Sequence, residues 1–291
     1  MNVVVFGGAG FLGSHVADSL AEAGYEVTVF DKRPYVCSGI AAVTGDILDE
    51  TAVRKVIEGT DAVYNFAGLA DMDDAAGRPA ETVRLNVLGN CNIMDACVEY
   101  KVGRFVYAST VYVHSAKGGF YRCSKQASEF YIEEYKRYYD LPFTILRYGS
   151  LYGLRADMTN GIYRFIKEAM TKGTITYNGT GEELREYINV KDAADLSAKI
   201  LAKEYKNKHI IVTGAVPYKV SDMLKTIRDI LDRPVEFNYT GGDGLHYNMT
   251  PYVYKPQYSY KLTSNYYRDI GQGIFEIISQ IGGDLIREEN G

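Results

Sequence analysis

The sequence predicts an α/β fold: a doubly wound parallel sheet with helices on both faces, followed by a smaller, interwoven second lobe. Two observations predict it. Over the first 150 residues, short β-branched runs alternate with longer segments of helical spacing, as βαβ units require. After Gly153 the pattern loosens, and a strand-like run at 209–213 then returns and would rejoin the first sheet.

Strands are predicted where β-branched and aromatic residues cluster between glycines or polar turns. In chain order these runs are 2–6, 26–30, 62–66, 104–109, 142–147 and 209–213. Helices are predicted where apolar residues recur with helical periodicity, several of them ending at a glycine. Their ranges are 12–23, 80–100, 121–139, 162–172, 191–203, 220–231 and 273–281. The stretch 238–267 is rich in Tyr, Gly and Pro and has no predicted element.

The predicted domains follow from this order. The first domain comprises 1–150 plus about 190–214, and the second lobe comprises about 151–189 plus 215–291. Because the strand at 209–213 belongs to the first sheet, the two units would be interwoven without a clean boundary.

Composition excludes several classes of protein. A chain of 291 residues with 46% hydrophobic residues and a net charge of −5 is neither disordered nor basic enough to suggest a nucleic-acid binder. No apolar run approaches the roughly 20 residues of a membrane span, and the N-terminus does not resemble a signal peptide. We therefore expect no membrane partner and a cytoplasmic location. The four cysteines form no C-x-x-C pair, so we expect neither a metal site nor a disulfide framework; they are Cys37, Cys91, Cys97 and Cys123.

The strongest local signal is a glycine-rich turn between the first strand and the first helix. Gly7, Gly10 and Gly13 have the spacing of a Rossmann-type dinucleotide-binding turn, with Phe11 and Leu12 opening the helix. Glycines there let the backbone approach a pyrophosphate, which the helix N-terminus stabilises. The alternative is an ordinary strand-to-helix turn. The strand before it and the helix after it favour cofactor binding.

Asp31 follows the second strand, where an acidic residue can bind the adenosine ribose hydroxyls. Its carboxylate would repel a 2′-phosphate, which favours NAD over NADP. Lys32 and Arg33 point the other way, because either could pair with that phosphate. Asp31 could also be only a turn residue before Pro34.

Tyr121 and Lys125 lie at i and i+4 near the start of a predicted helix and therefore share one face. Ser109 and Thr110 end the fourth strand, where α/β sheets present groups to ligands. A hydroxyl, a tyrosine and a lysine can form a proton-transfer relay in which the lysine cation lowers the pKa of the phenol. In a chain with 26 tyrosines, a simple surface pair is the alternative.

Together these motifs resemble the extended short-chain dehydrogenase/reductase family of NAD-dependent nucleotide-sugar epimerases and dehydratases. The resemblance is best over residues 1–215. Its matching pieces are the glycine turn at 7–13, Asp31, Gly45-Asp46-Ile47, Phe66-Ala67-Gly68, Asn86, Ser109-Thr110, Tyr121-x-x-x-Lys125 and the run 146–153.

The resemblance implies roles for several of the matching residues. Thr110, Tyr121 and Lys125 would be catalytic, with Tyr121 and Lys125 also contacting NAD and Thr110 also contacting the substrate. Asp46 and Ile47 would border the adenine, and Ala67 and Gly68 would lie near the ribose and phosphate. Lys32, next to Asp31, is also expected to bind the cofactor. Asn86 would be structural.

The resemblance also implies that Arg185 grips the substrate diphosphate, for which a planar guanidinium is suited. A surface salt bridge is the alternative for Arg185. The partners implied are a nucleotide-diphosphate sugar and a second copy of the chain in a homodimer.

One segment departs from the family pattern. Tyr121 follows Thr110 by only eleven positions, through a loop that contains Gly118 and Gly119. The shortened loop leaves open whether Ser109 or Thr110 is the catalytic hydroxyl, and we favour Thr110 because it lies one step beyond the predicted strand.

The residues after Thr110 bear on the reaction. Val111 and Tyr112 stand where the family's dehydratases carry an acidic pair, so elimination of water is disfavoured. We therefore predict a 4-epimerase that acts through a transient keto sugar, with Tyr121 as acid and base. A nucleotide-sugar ketoreductase or dehydratase of the same family remains an alternative, as does a non-catalytic NAD-sensing protein.

Overall fold

The computed structural model describes residues 1–35, 39–242, 248–251, 260–262 and 268–289. The strands are β1 (Asn2–Phe6), β2 (Glu26–Asp31), β3 (Ala41–Thr44), β4 (Ala62–Asn65), β5 (Arg104–Thr110), β6 (Phe143–Tyr148), β7 (Ser150–Tyr152), β8 (Thr174–Tyr177), β9 (Leu184–Arg185), β10 (Tyr187–Asn189), β11 (Lys208–Val212), β12 (Tyr218–Lys219), β13 (Glu236–Tyr239) and β14 (Tyr260–Lys261).

The helices are α1 (Phe11–Glu22), α2 (Glu50–Ile57), α3 (Met72–Gly77), α4 (Pro79–Val83), α5 (Gly89–Glu99), α6 (Gly119–Tyr139), α7 (Gly161–Lys172), α8 (Val190–Lys199), α9 (Val220–Leu231) and α10 (Ile270–Glu289). Within the described part of the chain, no helix is both long and apolar enough to cross a bilayer.

The central sheet confirms the predicted fold class. In the described residues it has eight parallel strands in the order β14-β11-β6-β5-β4-β1-β2-β3. All six predicted strands lie in it. The strand order reverses between β1 and β4, and in such sheets ligands bind in the crevice at the carboxyl ends beside this point.

The structure adds elements that the sequence did not predict. Strand β3 was missed because all four of its residues are exposed, so it carries no apolar signal. Helix α2 does carry a signal, since the Asp49 side chain caps its first turn and Val53 and Ile57 are buried on one face. Of the unassigned stretch 238–267, residues 243–247, 252–259 and 263–267 lie outside the described residues, as does Cys37.

Two predicted helices need correction. The helix expected over 80–100 consists of α4, a π-helical segment at Arg84–Leu88 and α5. Asn86 lies in the π-helical segment and bonds to the loop after β4, a long-range contact that helical spacing does not reveal. The helix expected over 191–203 ends at Lys199, and Lys203 begins a separate 3-10 turn.

The apolar core has three parts. One face of the sheet packs against α1 and α8, where Leu20 and Leu196 are buried. The other face packs against α2 and α5, where Ile57 and Ile93 are buried. A third cluster joins α7, α9 and α10 away from the sheet. This separate cluster favours the predicted second lobe, whose exact boundaries stay a prediction.

Candidate active site

The glycine turn follows β1 and lies against the residues that follow β4. Gly7 has a φ of 73°, and a Cβ placed on it would lie 2.5 Å from the Ala67 nitrogen. A Cβ on Gly13 would lie 2.2 Å from the Gly7 carbonyl oxygen. Gly10 caps α1 without a side chain, so the first N–H groups of the helix are left to a ligand. The residues present therefore fit a dinucleotide pyrophosphate.

Asp31 is bonded to this turn through its carboxylate. Its Oδ2 accepts from the Ala9 N–H at 3.0 Å and its Oδ1 from the Arg33 N–H at 2.9 Å. The Arg33 guanidinium donates back to the Ala9 carbonyl at 2.8 Å. Lys32 forms an ion pair of 3.0 Å with Asp46. Both cations near the expected ribose position thus have acceptors within the protein.

A cavity of about 800 Å³ runs from this turn to the first turns of α6. Of the residues predicted from sequence, the cavity is lined by Gly7, Gly10, Phe11, Leu12, Gly13, Asp31, Lys32, Ile47, Ala67, Gly68, Thr110, Tyr121 and Lys125. Asp46, Asn86 and Arg185 are not among the described residues that line it. The first half of the chain therefore brings most of the predicted site residues to one crevice at the carboxyl edge of the sheet.

The candidate relay lies where β5 meets α6. The Tyr121 phenol lies beside the Thr110 side chain, whose hydroxyl favours the ionised form of the phenol. The Lys125 ammonium donates to the Ala108 carbonyl at 2.8 Å and lies 5.8 Å from the centre of the Tyr121 ring. Ser109 points elsewhere, because its Oγ donates to Glu129 at 2.5 Å. Of the two candidate hydroxyls, Thr110 is the one in contact with the phenol.

Burial controls the charges of the relay. It raises the pKa of Tyr121 to about 12, although the neighbouring Thr110 hydroxyl opposes the rise. Burial also lowers the pKa of Lys125 to about 8, against the attraction of Glu129. Burial therefore opposes the effect expected of Lys125, which is to bring the phenol pKa towards neutrality. Ionisation of Tyr121 therefore needs further positive charge, which a bound ligand can bring.

Asn86 links the loop after β4 to α6. Its side chain accepts from the Leu69 N–H at 2.7 Å and donates to the Leu69 carbonyl at 3.0 Å and to the Ser124 Oγ at 2.9 Å. The Ser128 hydroxyl donates to its main-chain carbonyl at 2.8 Å. These bonds support the structural role proposed for Asn86.

Arg185 lies on β9 in the second lobe and is buried. Its guanidinium donates to the Leu184 carbonyl at 3.2 Å. The diphosphate contact expected of Arg185 therefore stays a proposal.

Sequence reasoning missed several cavity residues on the segments after β4 and in or after β7. They are Leu69, Ala70, Asp74, Arg78, Leu85, Leu151, Asp157 and Thr159. The usable signal was position, since these segments lie at the carboxyl ends of β4 and β7. Asn160 also lines the cavity, but its side chain caps α7 and donates to the Leu151 carbonyl at 2.8 Å.

Comparison with known proteins decides the family. The model of the NAD dependent epimerase/dehydratase family matches residues 3–214. The chain belongs to this family. It is an NAD-dependent enzyme of the family, which agrees with the glycine turn and Asp31 described above.

Relatives within the family carry several activities. The chain is 26% identical over 249 residues to a putative UDP-glucose 4-epimerase of Methanocaldococcus jannaschii, covering 78% of this chain and 81% of the relative. It is 26% identical over 294 residues to a trifunctional UDP-glucose 4,6-dehydratase, 3,5-epimerase and reductase of Arabidopsis thaliana. That match covers 90% of this chain but only 44% of the longer plant protein.

A solved structure shows the same fold over almost the whole chain. The UDP-glucuronic acid 4-epimerase of Bacillus cereus, in complex with UDP-glucuronic acid and NAD, superposes with a TM-score of 0.84 at 22% identity. The match covers 97% of this chain and all of the other.

Asp31 generates a prediction about cofactor choice. We expect NAD to bind at least about tenfold more tightly than NADP, since a 2′-phosphate in contact with the Asp31 carboxylate would be repelled by more than about 1.4 kcal/mol. Isothermal titration with both cofactors measures the ratio. Asp31→Asn should narrow it, whereas Glu58→Gln, which removes an exposed carboxylate elsewhere, should leave it unchanged. Tighter binding of NADP by the unmodified protein would show the assignment to be wrong.

Proposed function

We propose that this protein is an NAD-dependent 4-epimerase of a nucleotide-diphosphate sugar. The observation that carries the proposal is the placement of Thr110, Tyr121 and Lys125 in one cavity with the glycine turn. No acidic residue directly follows Thr110, as an elimination of water would favour. The 4-epimerase activities of the relatives and the UDP-sugar of the structural neighbour make a UDP-sugar the first substrate to test.

In the proposed reaction, Tyr121 takes the proton of the sugar 4-hydroxyl as that carbon is oxidised. Thr110 lies beside the phenol and would hold the reacting oxygen. Lys125 contributes a positive charge that favours the phenolate. Gly7, Gly10 and Gly13 would hold the cofactor, which when bound would supply a positive charge, accept the hydride as NAD and return it as NADH. Tyr121 then gives its proton back to the oxygen after the keto sugar has turned over.

A ketoreductase is the second candidate, and the cations beside Asp31 favour it. Lys32 lines the cavity, and its partner Asp46 is partly exposed, so the pair could open to admit a 2′-phosphate. A reductase would use the same relay but would release its oxidised cofactor after each turnover.

The epimerase proposal is tested with purified protein, NAD and no added reductant. We expect one of a panel of UDP-, GDP-, CDP- and dTDP-sugars to be inverted at carbon 4, detected by proton NMR. Stoichiometric consumption of a reduced cofactor would identify the reductase instead. If no nucleotide sugar binds, the proposal is wrong.

The same panel tests Arg185 as the diphosphate anchor. Arg185→Ala should weaken sugar binding by about tenfold to a hundredfold, as expected from the loss of about 1.5–3 kcal/mol of charge-assisted bonding. NAD affinity should change little. A lower melting temperature with unaltered sugar affinity would mean that Arg185 is only structural. Arg228→Ala, which removes a half-exposed guanidinium on α9, is the control.

Tyr121→Phe tests the acid–base assignment. It deletes the phenolic oxygen and should lower kcat by about a hundredfold or more while the protein folds and binds NAD normally. Tyr131→Phe is the matched control, because Tyr131 is exposed on the same helix. Turnover near the unmodified rate in Tyr121→Phe would rule out the assignment.

We further propose a homodimer formed through α6. Phe130, Tyr131, Tyr138 and Tyr139 are each between 49% and 69% exposed, which is more apolar surface than a lone helix face usually leaves in water. Tyr135, on the same helix, is half-buried and donates to Asp95 at 2.6 Å. An exposed self-complementary face favours two-fold pairing.

Sedimentation tests the dimer. The protein should sediment at twice 32.5 kDa, and Phe130→Glu should yield the 32.5 kDa monomer. Phe275→Glu should remain dimeric, because Phe275 is equally exposed but lies on α10. A monomeric unmodified protein at micromolar concentration would contradict the proposal.

A further inference from the structure

Behind the relay lies a buried polar network centred on Glu129. This residue follows Lys125 by one helical turn on α6 and is 5% exposed. Its Oε1 accepts from the Ser109 hydroxyl at 2.5 Å and from the Arg147 Nε at 3.0 Å. Its Oε2 accepts from the Arg147 Nη2 at 2.6 Å. A carboxylate buried this deeply is stabilised only by such charge-assisted bonds.

The network extends to the surface through His209 on β11. The Arg147 Nη2 donates to the His209 Nδ1 at 2.9 Å, and the His209 Nε2 lies 3.1 Å from the Glu133 carboxylate. Because arginine only donates, the Nδ1 must accept, and the ring proton therefore sits on Nε2 and bonds to Glu133. In this arrangement His209 adds no charge between Arg147 and Glu133.

The charges around Glu129 are not balanced. The ionisable and polar groups that face Glu129 or its partners come from five elements. They are Lys125 and Glu133 on α6, Ser109 and Tyr107 on β5, Arg147 on β6, His209 on β11, and His114 on the turn after β5. Of the buried ones, Lys125 and Arg147 are cations and Glu129 is the anion. These buried groups alone therefore carry one positive charge in excess, which ionisation of Tyr121 would neutralise; the half-exposed Glu133 carboxylate lies farther out, beyond His209.

We propose that Glu129 is a positioning residue for the reaction, whose carboxylate keeps Lys125 charged beside Tyr121. The same carboxylate holds the Ser109 hydroxyl in a hydrogen bond, which leaves Thr110 as the hydroxyl next to the phenol. The proposal rests on the proposed role of Tyr121 and names no substrate. Glu129 lies outside the relay, and its task would be to maintain the Lys125 charge that the Tyr121 phenolate requires.

The direction of the pH effect follows from the burial of Lys125. Burial already lowers its pKa to about 8, and Glu129 opposes that shift. Removal of the carboxylate charge would lower the pKa of Lys125 further, so that the cation is lost at a lower pH. A nearby opposite charge commonly accounts for about one pH unit or more. The alkaline limb of the activity should move to lower pH by that amount.

Glu129→Gln tests the proposal in the full-length protein. We expect about a tenfold loss of kcat near pH 8, little change in the KM for the sugar, and an alkaline limb displaced to lower pH. Glu134→Gln is the matched control, because Glu134 is an exposed carboxylate on the same helix that pairs with Arg137. A Glu129→Gln protein that binds NAD and keeps the unmodified kcat and pH profile would overturn the proposal.

A second variant covers a failure of Glu129→Gln to fold, since that change leaves Arg147 with a weaker partner. Glu129→Asp keeps the charge but withdraws it by one methylene, so its alkaline limb should move in the same direction by a smaller amount. If the limb of the Asp variant does not move, the proposal is wrong.

A measurement without turnover separates this proposal from the epimerase proposal. Ultraviolet difference absorbance reports the Tyr121 phenolate in the NAD complex when the Tyr121→Phe spectrum is subtracted. We expect the phenolate to form at higher pH, or in smaller amount, in the Glu129 variants than in the unmodified protein. If phenolate formation is unchanged, the proposal fails whether or not the protein is an epimerase.

Discussion

Burial of the Lys125 ammonium is the constraint on which the site depends. A cation removed from water is strongly disfavoured unless polar groups surround it. Here the Ala108 carbonyl, the face of the Tyr107 ring and the carboxylate of Glu129 supply that environment. They come from β5 and α6, so the charge can be held only if this strand and helix meet in one register. The same register brings Tyr121 against Thr110.

The cofactor side of the cavity depends on close contact between backbones. Gly7 approaches Ala67, and Gly13 approaches Gly7, at distances that leave no room for a side chain. Asp31 ties the end of β2 to the same turn through the Ala9 N–H. Asn86 then joins the loop after β4 to α6. The glycine turn and α6 are thus parts of one connected structure, although they are far apart in sequence.

Much of this could be predicted from the sequence because the signals are local. The glycine spacing, Asp31 after a strand and the i, i+4 pair of Tyr121 and Lys125 each depend on a few neighbouring residues. The Glu129 network could not be predicted in this way. Its bonds join Glu129 to Arg147 across 18 positions and Arg147 to His209 across 62, so that only the folded sheet brings them together.

The differences between the sequence predictions and the structure also arise from contacts and burial that the local sequence does not record. The π-helical segment inside the helix predicted over 80–100 accompanies the contacts of Asn86 with Leu69 and Ser124, which no periodicity records. The raised pKa of Tyr121 follows from burial, which the residue spacing does not specify. Arg185 was placed by resemblance to the family, and in this structure it lies on β9, outside the described cavity lining.

The most direct test of the proposed reaction follows one hydrogen atom. A nucleotide sugar carrying deuterium at carbon 4 is incubated with the protein and NAD, and the epimerised product is analysed by mass spectrometry and NMR. If the cofactor returns the hydride to the carbon it came from while Tyr121 handles only the hydroxyl proton, the deuterium remains at carbon 4 of the product. Loss of the deuterium to solvent, or its appearance in released cofactor, would contradict the mechanism.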